Sequence, residues 1–423
     1  MLLRSRSLSL GLLALASSAA AQGQVWVVDD QPGPGVDFTS IQAGINATAD
    51  GDVVLVKAGS YNEHPQITGR ALTLIADLGA DVRVQWGAGV FGNHSGQPVV
   101  VRGLHVPGNS QAYTTGLGIG NASGPVWVEE CVLRGSHVQF AGPGTGVIIT
   151  NSFGGVTIAR CDILGGSGTG KASPGNGGNG VFSEGPVHVF DSIVRGGDAP
   201  PITSFPFFGQ TGSGGAAVTL FNGKLFGSGA SFTGGAGTNG YAHPTFGCVG
   251  GGSGGAGLSS FGAGVSVVLL DSPVQGGSGG AAFGACGLGA NGPQFSPGLT
   301  PTTLNGIAHG LQVLSPVREG QPISATLHGA AGEQALFALS TTPSLGVVSQ
   351  PLAGVLLLAP PVSVLGLGPV PPSGTLSVSA TAGLLPPGIE GGTLFLEPAF
   401  VDPSGPSVVL GAPSTLTLLK TGL

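Results

Sequence analysis

Apolar and polar positions in the first two thirds of the chain recur as one short phrase. Val126-Trp-Val-Glu-Glu-Cys-Val-Leu-Arg-Gly135 is followed by Val156-Thr-Ile-Ala-Arg-Cys-Asp-Ile-Leu-Gly165 and Val187-His-Val-Phe-Asp-Ser-Ile-Val-Arg-Gly196. A fourth copy is Val218-Thr-Leu-Phe-Asn-Gly-Lys-Leu-Phe-Gly227. Fainter copies start at Leu72, Val99 and Val267, which makes the steps 27, 27, 30, 31, 31 and 49 residues. A repeat of this length marks a solenoid. Positions 0 and 2 are apolar (Val126, Val128; Val156, Ile158; Val187, Val189), and so is position 7 (Leu133, Ile163, Val194, Leu225). Period-two alternation turns these inward and their neighbours outward. The inward positions are even before position 4 and odd after it, so a bend near position 4 must reset the phase. The pattern predicts stacked coils of parallel strands ~4.8 Å apart, each phrase closing on its position-9 glycine.

The chain ahead of the repeat adds an opening strand (Val25 to Val28) and a short helix. Asp37 is placed to cap that helix, with Phe38, Ile41 and Ile45 on one face. Val53-Val-Leu-Val56 and Gly59-Ser-Tyr-Asn-Glu63 follow. This stretch resembles the opening of the right-handed parallel β-helix proteins of the pectin-lyase-like superfamily, of the exported bacterial type. The resemblance spans residues 25–292. It implies a right-handed parallel β-helix whose open end is covered by the N-terminal helix.

Glycine-rich segments carry the extra length: Gly165 to Gly180, Gly227 to Gly257, and Gly276 to Gly292. They are either flexible or packed against the solenoid as polyproline-like strands, and the sequence leaves both open. Residues 293–305 read as a Pro-rich linker. Residues 306–423 read as a small antiparallel β domain of sandwich type, with short strands such as Ile323 to Leu327, Thr375 to Ala380 and Thr415 to Leu419 between Pro/Gly turns. The β-helix proper is therefore assigned to residues 22–292.

Composition narrows the class. The chain has 82 Gly and 32 Pro among 423 residues, without the three-residue period of collagen. Residues 1–21 read as a secretory signal peptide: Arg4 and Arg6, an apolar run from Leu8 to Ala16, then Ala19-Ala20-Ala21. The expectation is a secreted, extracellular or cell-surface protein with no transmembrane segment in the mature chain. Removing the two leader arginines from 13 basic residues leaves 11 against 20 acidic, a formal charge of −9. That balance disfavours nucleic acid as a partner.

Four cysteines in an exported chain suit two disulfides. Cys248 and Cys286 lie in Gly-rich segments, where a staple helps most. Cys131 and Cys161 occupy one position of consecutive repeats. They form either a disulfide or a ladder of small residues continued by Ser192 and Gly223.

Candidate chemistry falls on the outward positions: Glu130, Arg160, Asp162, His188, Asp191 and Arg195, with Trp127, Arg134 and Lys224 as ligand-binding partners. Arginine suits carboxylates and hydroxyls, tryptophan stacks on sugars, and carboxylates do acid/base work. The same charges also read as a ladder of solvated ion pairs, Glu130–Arg160–Asp191. No further motif supports catalysis. Gly59-x-Tyr61-x-Glu63 resembles a pectin methylesterase motif but suits a structural role, and the remaining motifs of esterases and galacturonases are missing. Gly165 to Ala172 imitates a phosphate loop, yet Ala172 stands where Ser or Thr is required, which argues against a nucleotide. The histidines lack metal-ligand spacing, and no metal or cofactor is called for. The leading expectation is an exported structural module that binds a polysaccharide or another extracellular protein along the solenoid. The alternative is a polysaccharide lyase, which would recruit Ca²⁺, or a glycoside hydrolase.

Overall fold

A computed structural model describes residues 23–108, 115–138, 142–168, 175–200, 211–243, 247–344, 352–405 and 408–423. Residues 1–21, read from the sequence as a leader, lie outside the described residues, as do Lys171 and Ala172 of the loop that imitates a phosphate site. Three long parallel sheets form a β-helix, and a smaller β domain of mainly antiparallel strands follows it. The first sheet has ten strands, from Val25–Val28 to Thr302–Leu304. The second has eight, from Gly59–Tyr61 to Val274–Gln275, and the third seven, from Gln66–Thr68 to Leu258–Phe261.

The inward columns follow the predicted alternation. Val99, Val126, Val156 and Val187 stack in register in the first sheet, and Leu133, Ile163 and Val194 stack in the second. All are fully buried in one continuous core. The bend that resets the phase is a single residue in the left-handed conformation. Glu130, Arg160, Asp191 and Asp271 have φ of 53°, 54°, 45° and 46°. Gly103 and Gly229 hold the same place with φ of 77° and 64°. Short polar residues and glycine tolerate this region, whereas Glu and Arg rarely adopt it.

Two boundaries differ from the sequence reading. Val218 pairs with Val181 and Leu258 in the third sheet, while Leu225 is the residue beside Val187. The fourth phrase therefore sits one sheet early. First-sheet steps from Val187 to Leu225 to Val267 are 225 − 187 = 38 and 267 − 225 = 42 residues. The sequence match between Val218 and Val187 arose because strands of all three sheets share the same alternation. Secondly, Thr302–Leu304 pairs with Val268–Leu270, so segment 293–305 supplies the last rung of the solenoid as well as a connection.

At the other end the helix is Ile41–Ala47, and its N-cap is Ser40, with Asp37 turned instead to the N–H of Val27. Glu63 accepts from the Ser40 hydroxyl and from the N–H groups of Ile41 and Gln42 at 2.8, 2.7 and 3.0 Å. Tyr61 is buried and donates to the Lys57 carbonyl at 3.0 Å. The Gly-x-Tyr-x-Glu segment thus fastens the helical cap.

The glycine-rich segments are packed. Backbone N–H groups of Gly234, Gly237 and Gly240 donate to Gln275, Ser278 and Ala281 on one side. On the other side Gly235 and Thr238 donate to Gly215 and Gly212. Bonds recurring every third residue on each side are the signature of three-fold polyproline-type helices laid side by side. The row continues through Gly166, Gly178, Gly197, Gly215, Gly235, Gly255, Gly277 and Gly292, each bonded to the one before. Glycine is required by this close approach: a Cβ on Gly255 would lie 1.9 Å from the carbonyl oxygen of Gly215. On the outer edge Asn176, Asn179, Asp198, Asn239 and Asn291 accept N–H groups of neighbouring chains, which satisfies donors that no strand reaches.

The C-terminal domain pairs Gly310–Val313, Pro322–His328 and Thr375–Thr381 in one sheet. The facing sheet contains Gln334–Ser340, Ser363–Pro369, Gly391–Val401 and Ser414–Leu419. Leu311, Val313, Leu327, Phe337 and Phe400 lie in the core between them.

Candidate functional site

The C-terminal domain lies along the outer face of the first sheet, over the face that carries most of the sequence-nominated residues. Val100, Trp127, Ala159, Phe190 and Phe226 pack there against Val355, Leu357, Leu358, Phe395 and Ala412. Val25, Val27, Val53, Leu55 and Ile75 meet Leu419 further along the same face. Trp127, expected to be an exposed sugar platform, is 2% exposed, and its ring meets Phe395 edge-on at 5.0 Å. His188 is also buried. Its Nδ1 has no hydrogen-bond partner, and burial lowers its pKa from 6.5 to about 4.

A network of buried charges replaces the expected solvated ladder. Arg102 binds Glu130 through Nε and Nη2 at 3.0 and 2.9 Å, and Glu129 at 3.2 Å. It also donates to the carbonyls of Val313 and Thr415. Arg160 binds Glu129 and donates to the carbonyls of Leu311 and Pro413 at 2.8 and 2.9 Å. Glu129 accepts from the hydroxyls of Ser414 and Thr415 and from the Thr415 N–H. Burial works to raise the Glu129 carboxyl; the two guanidiniums, Ser414 and Thr415 outweigh it and hold the group below the usual glutamate range. Asp191 remains exposed; partial desolvation beside the seam raises its carboxyl, and the nearby Arg160 only partly offsets this. With two arginines and two glutamates the network is charge-balanced, as buried charges must be.

Arg102 and Glu129 were not singled out from the sequence, although a signal was present. The strands Val53-Val-Leu-Val56, Val99-Val-Val-Arg102 and Val126-Trp-Val-Glu129 are nearly continuous apolar runs, and strands apolar on both faces are covered on both faces. A charge at the end of such a strand is a buried charge in need of partners.

The remaining nominated residues separate. Asp162 stays on the open face of the second sheet, bound by Arg134 and by Arg195, the latter at 2.9 Å. The Arg134 hydrogen bond is the main reason its carboxyl is held low. Lys224 is exposed and pairs in the first sheet with Pro186, away from that triad. Cys248 and Cys286 are joined by a disulfide, their Cα atoms 5.2 Å apart. Cys131 and Cys161 are buried free thiols. They stand in a column of small residues with Ser192, continued by Ala230 and Ser272, whereas Gly223 lies elsewhere. Among the described residues no three His, Cys, Asp or Glu side chains are grouped to hold a metal ion, and no helix is long and apolar enough to cross a membrane.

A cavity of about 600 Å³ opens where the first coils meet the C-terminal domain. Its solenoid wall includes Asp50, Leu72, Thr73, Pro98 and Val100, and the opposite wall Ile323, Leu339, Ile389 and Leu394. Asp50 is already engaged, by the Ala71 N–H and the Gln97 amide.

No family model matches the chain, and no curated protein matches it. Among solved structures it is similar to the crystal structure of Escherichia coli YbhC, at 14% identity with a TM-score of 0.27, over 60% of this chain and 72% of that one.

Proposed function

We propose that the protein is an exported, noncatalytic β-helix that holds a polysaccharide or a protein partner on the solenoid faces left open. The observation that carries this reading is the engagement of the nominated acid/base groups. Glu130 and Arg160 are bonded into the seam under the C-terminal domain and His188 is buried there, which leaves Asp191 as the one exposed carboxylate of that row. The open third sheet supports the binding half. Its outward positions carry Phe91, Phe182, Phe221 and Phe261 among Thr150 and Ser259. Phe221 and Phe261 are 43% and 59% exposed and stand on adjacent coils. Uncharged rings and hydroxyls suit the apolar faces and hydroxyl edges of sugars.

The alternative, a polysaccharide lyase or glycoside hydrolase, would rest on Asp162 with Arg134 and Arg195. A carboxylate pinned by two guanidiniums is a poor proton donor. Residues 22–423 are incubated with acidic and neutral polysaccharides, with and without Ca²⁺, and polymer size is followed by size-exclusion chromatography. The expected result is unshortened polymer, with one polymer co-eluting with the protein and losing it when Phe221 and Phe261 are changed to Ala. Shortening of any polymer that disappears in Asp162→Asn would establish the enzyme reading instead.

A further inference from the structure

Three glycines make a floor for one phenylalanine on the open third sheet. Ala88–Phe91 and Leu117–Gly120 are neighbouring strands, with Gly89 beside Gly118 and Phe91 beside Gly120. Alternation turns these four residues outward, and three of the four are glycine. Glycine weakens a strand interior and marks places where another group comes close. Here the group is the Phe91 ring, which leans back along its own strand. It fills the space that a Cβ on Gly89 would need, and lies 2.9 and 3.6 Å from where Cβ atoms of Gly120 and Gly118 would stand. Gly89 and Gly120 are buried although they point outward, while Phe91 itself is half-buried. One face of the ring therefore rests on backbone, and the other is turned to solvent.

The surroundings restrict what that face can hold. The Thr150 hydroxyl stands beside the ring, 3.5 Å from the Cβ position of Gly120. Glu184 follows the next strand, Val181–Ser183, with its carboxylate held by the Asn151 N–H at 3.0 Å. Phe221 and Phe261 stand further along the same outward column. The outward strand positions of the third sheet are uncharged, and the charge beside them, on Glu184, is negative. An acidic polymer finds no cation on those strands and meets a like charge. Coils ~4.8 Å apart advance about as far as one sugar of an extended β-1,4-linked chain.

We propose that Phe91 is a stacking platform for a neutral, β-1,4-linked polysaccharide of gluco type, which lies along the solenoid axis with one sugar flat on the ring and its hydroxyl edge toward Thr150 and Glu184. This rests on the reading of the third sheet as a glycan-binding face and names the sugar that face selects. A chair with every ring substituent equatorial carries only axial C–H bonds on its two faces, and such a face meets the electron-rich face of an aromatic ring. An axial hydroxyl, as in a galacto sugar, lifts one face of the sugar off the ring. Successive β-1,4-linked units turn opposite faces to the sheet, so a column with rings at Phe91, Phe221 and Phe261 selects a sugar that is clean on both.

The test is isothermal titration calorimetry of residues 22–423 with a β-1,4-linked glucose hexasaccharide and, in parallel, its β-1,4-linked galactose counterpart. Six units match the six strands from Ala88–Phe91 to Leu258–Phe261. Phe91→Ala removes the platform, whereas Gly120→Val keeps the ring and drives it off its floor. The expected result is at least about tenfold tighter binding of the glucose oligomer than of the galactose one, and at least about tenfold weaker binding of the glucose oligomer in either variant. Equal affinity for the two oligomers, or undiminished binding by folded Phe91→Ala or folded Gly120→Val protein, would overturn the proposal. If Phe221→Ala with Phe261→Ala still abolishes that binding, the broader glycan reading survives the loss. Binding of an acidic polysaccharide alone would overturn the proposal and keep a glycan-binding protein. Absence of binding to every neutral and acidic polysaccharide would overturn both.

Discussion

Glu129 and Thr415 are bonded twice across the seam, the Thr415 N–H at 2.9 Å and its hydroxyl at 2.6 Å from the same carboxylate oxygen. The pair joins the solenoid phrase that starts at Val126 to the last strand of the chain. Glu129→Gln removes the fully buried one of the two carboxylates that Arg102 and Arg160 share, leaving only the half-buried Glu130. The expected loss is about 3–5 kcal/mol of stability, read from urea denaturation. An unchanged midpoint would mean the carboxylate is dispensable to docking.

Two buried groups, His188 beneath the C-terminal domain and Glu397 within it, set opposing pH dependences. His188 is depressed from 6.5 to about 4, so its contribution is full above pH 6.5 and is lost as pH falls toward 4. Glu397 is raised from 4.5 to about 8 by burial, so its contribution is full below pH 4.5 and is lost as pH rises toward 8. These two contributions cancel between 4.5 and 6.5 and leave a decline of about 1.4 kcal/mol per pH unit from 6.5 to 8. His188→Leu is expected to extend that decline down to 4.5, and Glu397→Gln to abolish it. Denaturation midpoints across this range check both.

Glycines of the packed segments differ sharply in what they tolerate. Gly255→Ala drives a methyl to 1.9 Å from a backbone carbonyl, whereas Gly287→Ala has nothing within 4 Å and keeps an ordinary φ. The first is expected to cost about 1–3 kcal/mol or more, and the second to be neutral, in thermal melts followed by circular dichroism. Equal melting temperatures would mean the segments are not packed in solution.

The disulfide closes a loop between residues 38 apart. Loop-closure entropy gives it a stabilising effect of roughly 4 kcal/mol. Cys248→Ser with Cys286→Ser is expected to speed amide exchange around Gly251 and Gly289 first, because those chains bond to the segment it staples. Protection unchanged there would assign the bundle's order to glycine packing alone.

Legibility in the sequence followed the local physics. Inward columns such as Val126, Val156 and Val187 were plain, because a solenoid repeats one environment per coil. The bend was foreseen from the parity change, and its left-handed φ at Glu130 and Arg160 supplies the mechanism. Alternation does not say which of three sheets a strand joins, so Val218 was taken for the equivalent of Val187. Nor does an outward position say whether a second domain covers it. Trp127 and Arg160 were therefore read as wet, although the unbroken apolar run of Val126-Trp-Val argued for cover. Packing of the Gly-rich segments was undecidable because glycine permits both order and disorder, and only close approach of several segments distinguishes them.

The bundle of three-fold chains carries one more consequence, in its resistance to digestion. Between Lys224 and Arg318 the chain has no lysine or arginine. A protease that requires a basic side chain in its specificity pocket finds no bond to cut in the last coils. The glycine segments there are tied on two sides, so a less selective protease must first pull a chain out of the row. A surface kept wet by amides and hydroxyls in place of charges is thus also one that digestion has few ways to enter.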